Sequence, residues 1–235
     1  MSWLDVALSN LTLTEDVEGY LLGRGAKESS IMSDGMVTWQ RMSEPSPDPA
    51  FREMAKPYGE RFEGYAVCPA YSPRGTLIGF EARNTHRKHI MDYRTSEAAW
   101  SPFFLGMRRA MPKIWAGGDV WIVEGQFDLY PLEWAVPETD AVLATVRAKL
   151  SNAHIEFLSR FCKGRVHMCY DRDETGRKAT HSYTDEKTGK YRMGALERLR
   201  RVGLKCQDVP FQGYKDPGEI WDAGGVNAVR AAFAI

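Results

Sequence analysis

The 235-residue sequence has little cysteine, and it has no long apolar run. Cys68, Cys162, Cys169 and Cys206 are scattered, without a C-x-x-C pair or a Cys/His cluster at zinc-ligand spacing. This excludes a disulfide framework and a structural zinc site. No segment approaches the roughly 20 apolar residues that span a bilayer, and the first residues are not a basic leader. We therefore expect a cytoplasmic protein in a reducing compartment, with no zinc and no membrane partner.

An excess of charge of either sign is also absent, because 31 Lys and Arg balance 31 Asp and Glu. The distribution is nevertheless uneven. Residues 1–64 hold 6 basic and 11 acidic side chains, whereas residues 65–118 hold 8 basic and 3 acidic ones. The middle segment is thus suited to face a polyanion. With 43% hydrophobic residues the chain is typical of a soluble globular protein, which excludes disordered and collagen-like classes.

The pattern of the chain changes twice. Residues 1–31 have helix-like spacing with a start near Thr14, and the prolines between Glu44 and Pro57 indicate a loop or linker. A β-hairpin is expected from Tyr65–Cys68 and Thr76–Phe80. After Gly118, strand and helix patterns alternate; the strands are expected at residues 119–123, 141–144, 165–170 and 205–209, and the helices at residues 127–135, 152–161 and 194–202. Such alternation predicts an α/β fold with a largely parallel sheet flanked by helices.

Acidic residues follow two of the expected strands. Glu124 ends one strand and Asp128 comes one helical turn later, while Asp171 and Asp173 follow another strand at positions i and i+2. Ligands of open α/β sheets gather at the carboxyl ends of the strands. Carboxylates that converge there repel one another unless divalent cations neutralise them, so Mg²⁺ or Mn²⁺, with two or more ions, is the expected cofactor. Either motif alone is equally compatible with a helix cap.

Two other interpretations of the second motif are weaker. Asp-x-Asp-x-Thr-Gly opens like a calcium loop, but its twelfth position is Ser182 instead of a bidentate Glu. The motif also resembles the nucleophile of haloacid-dehalogenase-like phosphatases, which place it near the start of their domain. After it, His181 to Arg192 alternate aromatic and polar residues around a Thr-Gly turn, which predicts a β-hairpin that is either surface decoration or a clamp over substrate.

Taken together, the motifs resemble the DnaG-type primases and their Toprim domain. Glu124-Gly-x-x-Asp128 followed by Asp171-x-Asp173-x-x-Gly176 is similar to the Toprim signature. Tyr20-Leu-Leu-Gly-Arg24-Gly25 and the segment from Cys68 through Gly75 and Gly79 to Arg83 resemble elements of the N-terminal primase subdomain. Lys215-Asp216-Pro217 resembles the element that follows Toprim. These matches occur in family order over nearly the whole chain.

The resemblance implies a smaller α+β primase subdomain at residues 1–116 and a Toprim catalytic domain at residues 117–235. It implies a nucleotidyltransferase that makes RNA primers from NTPs on single-stranded DNA during replication. Glu124, Asp171 and Asp173 would be catalytic, and the metal ligands would be Glu124, Asp128, Asp171, Asp173 and Asp216. Arg24, Arg83 and Lys88 would contact nucleotide or nucleic-acid phosphates. A replicative helicase and a separate zinc-binding module are further expected partners, in a bacterial cytoplasm or a phage-infected host.

The sequence departs from the family at several positions. Gly218 replaces an Asp, which leaves Glu219 as a candidate substitute; Arg172 replaces a Gly, Cys68 a Phe, and the hairpin at 181–192 is extra. The family's zinc-binding and helicase-binding parts have no counterpart in the sequence, as expected for a phage protein or an excised core. Two alternatives keep the fold but change the function. They are a Toprim nuclease that uses the same carboxylates, and a non-catalytic single-strand-binding accessory.

Overall fold

The computed structural model describes residues 8–9, 11–39, 63–99 and 101–233. Its first part contains helices α1 (Glu15–Gly23) and α2 (Glu28–Asp34) and an antiparallel sheet in the order β1-β2-β3-β4. The strands are β1 (Val37–Trp39), β2 (Tyr65–Tyr71), β3 (Leu77–Asn84) and β4 (Ile90–Arg94), followed by a 3₁₀ turn at Ser96–Ala99. The predicted hairpin is confirmed as β2 and β3. Both strands run further than predicted, because β3 is also paired with β4 and is mostly buried.

The second sheet is fully parallel in the order β10-β7-β5-β6. Its strands are β5 (Val120–Val123), β6 (Ala141–Ala144), β7 (Val166–Met168) and β10 (Cys206–Asp208). The helices of this part are α3 (Met107–Ala116), α4 (Gln126–Leu132), α5 (Asn152–Phe161), α6 (Glu174–Thr180), α7 (Ala195–Arg201) and α8 (Pro217–Phe233), the last interrupted at Gly224 and Gly225. Every residue of β5, β6 and β7 is buried, as expected for a parallel sheet covered on both faces. The predicted fold class is confirmed.

The hairpin predicted after the acidic motif is also present. Strands β8 (Tyr183–Thr184) and β9 (Tyr191–Arg192) pair antiparallel. Asp185 accepts hydrogen bonds from the backbone of Lys187 and Thr188, and Gly189 has a left-handed φ of 65°, which a turn requires and glycine allows at low cost.

The two sheets share one hydrophobic core. Ala66 and Ile78 of the antiparallel sheet belong to the same buried cluster as Trp121 and Val123 of the parallel sheet. The division of the chain at residues 116 and 117 stays a prediction, and the proline-rich segment 44–57 lies outside the described residues.

Helix α1 begins where the sequence predicts, but the Thr14 side chain does not cap it. Thr14 occupies the N-cap, yet its hydroxyl makes no capping hydrogen bond to the helix and pairs instead with the Thr38 hydroxyl at 2.8 Å. The start of the helix is therefore tied to the first sheet. All four cysteines are free thiols, and no helix in the described ranges has the length and apolarity needed to cross a bilayer.

Candidate active site

Four acidic side chains of the expected site lie at the carboxyl edge of the parallel sheet or beside it. Glu124 directly follows β5 and Asp171 follows β7, which are adjacent strands in parallel register. The Glu124 side chain and the Asp171 backbone meet at Gly176 in α6, where an added Cβ would lie 2.1 Å from the Asp171 carbonyl oxygen and 2.8 Å from Glu124 Oε1. Only glycine permits so close an approach. The expected meeting of Glu124 with the second motif is therefore observed.

The ammonium of Lys215 lies among three of these carboxylates. Its Nζ is 2.5 Å from Asp171 Oδ2, 3.6 Å from Asp173 Oδ2 and 3.7 Å from Asp216 Oδ2. Asp171 is nearly buried, with 13% of its side chain exposed, while 44% of the Lys215 side chain is exposed. These contacts raise the pKa of Lys215, chiefly through the hydrogen bond to Asp171. A single positive charge thus offsets part of the negative charge of three carboxylates drawn from two separate segments.

The carboxyl group of Glu124 has a raised pKa. Burial, followed by the charges of Asp171 and Asp173, raises its pKa to about 7. Its Oε1 atom is buried and has no hydrogen-bond partner in the structure. A buried, unpartnered carboxylate oxygen is costly unless it takes up a proton or a cation. Glu124 is therefore poised between the protonated and ionised forms near neutral pH.

The pKa values of Asp171, Asp173 and Asp128 are shifted in different directions. Burial raises the pKa of Asp171 although Lys215 acts against it. A hydrogen bond from the Gly176 backbone N–H lowers the pKa of Asp173, which is the N-cap of α6. Burial, with the charges of Asp216 and Asp171, raises the pKa of Asp128 well above its usual range. Closely spaced carboxylates with opposed shifts are typical of sites that perform chemistry.

Asp128 also has a structural role that its spacing did not indicate. Its Oδ2 accepts a hydrogen bond from the Gly125 backbone at 3.1 Å and its Oδ1 accepts one from the Gly218 backbone at 3.2 Å. It therefore joins the starts of α4 and α8, and its part as a metal ligand stays a prediction.

The carboxylate oxygens of this site are chemically suited to bind a divalent cation. Hard oxygen ligands around a site of excess negative charge suit Mg²⁺ or Mn²⁺, and the unpartnered Glu124 oxygen is available as a ligand. In the described ranges, however, no three acidic, histidine or cysteine side chains stand in metal-binding geometry. In this structure the positive charge among these oxygens is the ammonium of Lys215.

Position 218, where the family pattern has an acid, is crowded. A Cβ added to Gly218 would lie 3.2 Å from both Arg24 Nη2 and Asp216 Oδ1. The neighbouring Glu219 turns back, and its Oε2 accepts a hydrogen bond from the Lys215 backbone at 2.7 Å. Glu219 thus closes the turn that carries Lys215.

Two of the three expected basic residues share one aromatic platform. The guanidinium groups of Arg24 and Arg83 lie 5.4 and 4.3 Å from the ring centroid of Phe127, one residue before Asp128. Arg24 also pairs with Asp222 at 2.6 Å. Lys88 is exposed in the turn between β3 and β4, and its role stays a prediction. We did not predict a role for Phe127 from the sequence. Its position between Glu124 and Asp128 could have marked it as a neighbour of the site.

Arg172, which stands where the family pattern has a glycine, makes side-chain contacts that a glycine could not make. It donates to both oxygens of Asp208 at 3.1 and 2.9 Å, donates to the Val209 carbonyl, and lies 4.7 Å from the Phe211 ring. Its backbone N–H donates to the Lys215 carbonyl at 2.7 Å. Arg172 therefore anchors the segment that carries Lys215 to the end of β10, a role that the sequence analysis missed.

Comparison with known proteins bears on this architecture. Residues 121–220 match a Toprim-like family model. The chain is 25% identical to a DNA primase of Deinococcus radiodurans over 178 residues, and 28% identical to one of Aquifex aeolicus over 177 residues. Each alignment covers 74% of this chain, but only 29% and 32% of the respective relatives.

Solved structures agree in fold over nearly the full length. The zinc-binding and RNA polymerase domains of the Aquifex aeolicus primase superpose with a TM-score of 0.71 at 22% identity, covering 99% of this chain and 59% of that one. A DnaG catalytic core gives 0.70 at 18% identity, covering 99% and 78%. The chain carries a Toprim domain within the fold of a DnaG-type primase catalytic core. The Toprim domain contains Glu124, Asp171, Asp173 and Asp216, whereas Arg24 and Arg83 reach it from the preceding part of the core.

The resemblance inferred from the motifs is thereby confirmed, and so is the α/β fold class. The chain spans about a third of the length of the curated relatives that it matches.

Proposed function

We propose that this chain is the catalytic core of a DNA primase, which joins ribonucleoside triphosphates into short RNA primers on single-stranded DNA. The observation that carries the proposal is the convergence of Asp171, Asp173 and Asp216 on one cation position beside Glu124, next to Arg24 and Arg83 on Phe127. Carboxylates beside guanidinium groups are suited to a metal-bound triphosphate. A further support is that a solved DnaG catalytic domain of the same fold, at TM-score 0.70, is bound to single-stranded DNA.

In the proposed mechanism Asp171, Asp173 and Asp216 would hold Mg²⁺ or Mn²⁺, with Glu124 as a further ligand or as the proton acceptor. Bound divalent ions would lower the pKa of the attacking 3′-hydroxyl and offset the charge of the triphosphate. Glu124 Oε1 is suited to receive that proton, because its carboxyl group titrates at about 7. Arg24 and Arg83 bind phosphate oxygens, and Phe127 holds the two guanidinium groups in position.

The first test is primer synthesis from labelled NTPs on single-stranded DNA with Mn²⁺. We expect Asp171→Asn to reduce synthesis at least about 100-fold, because it removes a charge that holds the ion, while the fold is retained. Glu156→Gln is the matched control, since Glu156 is exposed on α5 and pairs only with Arg160 there. Full synthesis by the Asp171→Asn protein would refute the assignment.

The same incubation separates the two alternatives. Shortened template with no extension product indicates a Toprim nuclease. Binding without either reaction, and without a requirement for metal, indicates a single-strand-binding accessory.

A further inference from the structure

A groove lies between the β8–β9 hairpin and the loop that follows β6. Its volume is about 1080 Å³, and it is bounded by the loop after β6, the start of α6, the hairpin and the start of α7. At one end lies Thr175, two residues after Asp173, and also Thr145, which follows β6 beside the strand that ends at Glu124. We call it the hairpin groove. None of the site carboxylates lines this groove, but Thr175 places its lining within two residues of Asp173.

The lining of the hairpin groove is positively charged. Six basic side chains line it, and they are Arg94, Arg147, Lys149, Lys178, Arg192 and Arg198. One acidic side chain in the lining, Asp185, opposes them. Asp92 pairs with Arg94 and Arg147, and Glu174 pairs with Lys178. Even with these partners counted, three positive charges remain in excess, which favours a polyanion as the occupant.

The hairpin adds two aromatic rings to this basic surface. Tyr183 on β8 and Tyr191 on β9 both line the groove, and 58% of Tyr191 is exposed. The Tyr191 hydroxyl donates to Glu197 of α7, and Ser182 donates to the same carboxylate at 2.6 Å. Contacts at both ends of the hairpin thus fix it on α7. A tyrosine held in this way presents a ring face at low entropic cost.

The loop on the opposite wall is held in a strained conformation. Val146 has a φ of 66°, which is costly for a β-branched residue. The Thr145 hydroxyl secures the loop by donating to the Arg147 carbonyl at 2.6 Å, and it lies 3.2 Å from the Tyr170 hydroxyl. Strain of this kind persists only where the surroundings enforce it, so the wall that carries Arg147 and Lys149 is a preset surface.

We propose that the hairpin groove binds a single-stranded nucleic acid next to the active site, with its phosphates on the basic wall and its bases on Tyr183 and Tyr191. The combination of a basic channel with exposed aromatic rings is what distinguishes such a ligand from a free nucleotide or an acidic peptide. This inference rests on the proposed function. On that basis the extra hairpin would hold the template or the primer as it leaves the carboxylate edge.

Two charge-reversal variants of equal charge test the groove. Lys149→Glu with Arg192→Glu changes the lining, whereas Lys187→Glu with Lys190→Glu changes the exposed turn of the same hairpin outside it. Binding is measured by fluorescence anisotropy with labelled single-stranded DNA and RNA of one sequence, at several salt concentrations. We expect the groove variant to bind about tenfold or more weakly with a shallower salt dependence, and the turn variant to stay within about threefold of the wild type.

The aromatic part is tested separately. Tyr191→Leu should weaken binding about tenfold with the salt dependence unchanged, because it removes a stacking face but no charge. Tyr191→Phe keeps the ring, and the Ser182 contact to Glu197 still holds the hairpin, so its binding should stay within about threefold of the wild type. Preference for the DNA or the RNA oligonucleotide tells whether template or primer is held.

Equal losses in the two charge variants, or no loss in either, would overturn the proposal, as would wild-type binding by Tyr191→Leu. These outcomes are distinct from failure of the proposed function. If the wild type makes no primers yet the groove variant alone loses binding, the groove stands without primase activity. If primers are made but the groove variants bind normally, the proposed function stands and the proposal for the hairpin groove fails.

Discussion

At the scale of single residues, the ammonium of Lys215 accounts for much of the electrostatics at the carboxylate edge. It contacts Asp171, Asp173 and Asp216 within 3.7 Å, and so it occupies the position that the proposed function gives to a divalent cation. A cation that binds there competes with Lys215 for the same oxygens. The residue is therefore expected to set the affinity of the site for metal.

We predict that Lys215→Met raises the apparent affinity for Mn²⁺ about tenfold, or about 1.4 kcal/mol, because the competing charge is removed. The measurement is the rise in melting temperature of the protein as Mn²⁺ is added, which requires no activity. Lys178→Met removes the same charge from the nearby exposed pair with Glu174 and serves as the control. A Mn²⁺-dependent rise no larger in Lys215→Met than in the control would contradict competition.

At the scale of the elements, strand β3 carries an ionisable group into the interior of the antiparallel sheet. Glu81 is 2% exposed, stands opposite Cys68 on β2 and opposite Asp92 on β4, and has Arg83 as its nearest favourable charge. Burial raises its pKa to about 7. The folded protein thus binds a proton that the unfolded chain releases near pH 4.5.

Protonation of Glu81 stabilises the folded protein at acid pH. The contribution of the protonated Glu81 is complete below pH 4.5 and is lost as pH rises through 7. We predict that Glu81→Gln, which stays neutral, gains about 3 kcal/mol relative to the wild type between pH 4.5 and pH 8. Urea unfolding of both proteins at these two pH values measures the difference. A difference that is the same at both pH values would show that Glu81 does not titrate in this range.

At the scale of the whole molecule, a buried ionic network joins the parts on either side of the predicted boundary at residue 116. Arg109 of α3 donates to both oxygens of Asp34 at the end of α2, at 2.9 and 2.7 Å. It also pairs with Glu133, which directly follows α4. Asp34 and Glu133 have side-chain exposures of 3% and 11%. The Arg109 guanidinium thus bridges the two carboxylates, and Ser30 adds a hydrogen bond to Glu133 Oε2 at 2.9 Å.

We predict that Arg109→Met lowers the free energy of unfolding by about 3 to 5 kcal/mol, since it takes from two buried carboxylates the positive charge that they share. Arg160→Met is the control, because Arg160 and Glu156 form an exposed pair on α5 whose loss should cost about 0.5 kcal/mol or less. Chemical denaturation of both variants provides the comparison. Similar losses in the two would mean that the network contributes no more than a surface pair.

The sequence by itself determined the elements whose signal is local. The parallel strands β5 and β6 and helix α5 were predicted to within one residue, because an uninterrupted apolar run or a clear helical period defines each of them. Helices α3, α6 and α8 were not predicted, and neither were β1 and β4. Strand β1 is stabilised by pairing with β2, which comes much later in the chain, and no local pattern records that contact. Strand β4 pairs with its neighbour β3, but its residues are exposed or half-buried and carry no alternating apolar signal.

The carboxylates of the site could be named from the sequence because acidic residues after buried parallel strands must lie at one edge of the sheet. Only the tertiary structure decided what surrounds them: Lys215 among the aspartates, Phe127 beneath two arginines, Arg172 turned toward β10, and a basic groove beneath the hairpin. These features depend on side-chain direction and on contacts between segments tens of residues apart. A sequence fixes which charges exist, but only the folded chain fixes which of them meet.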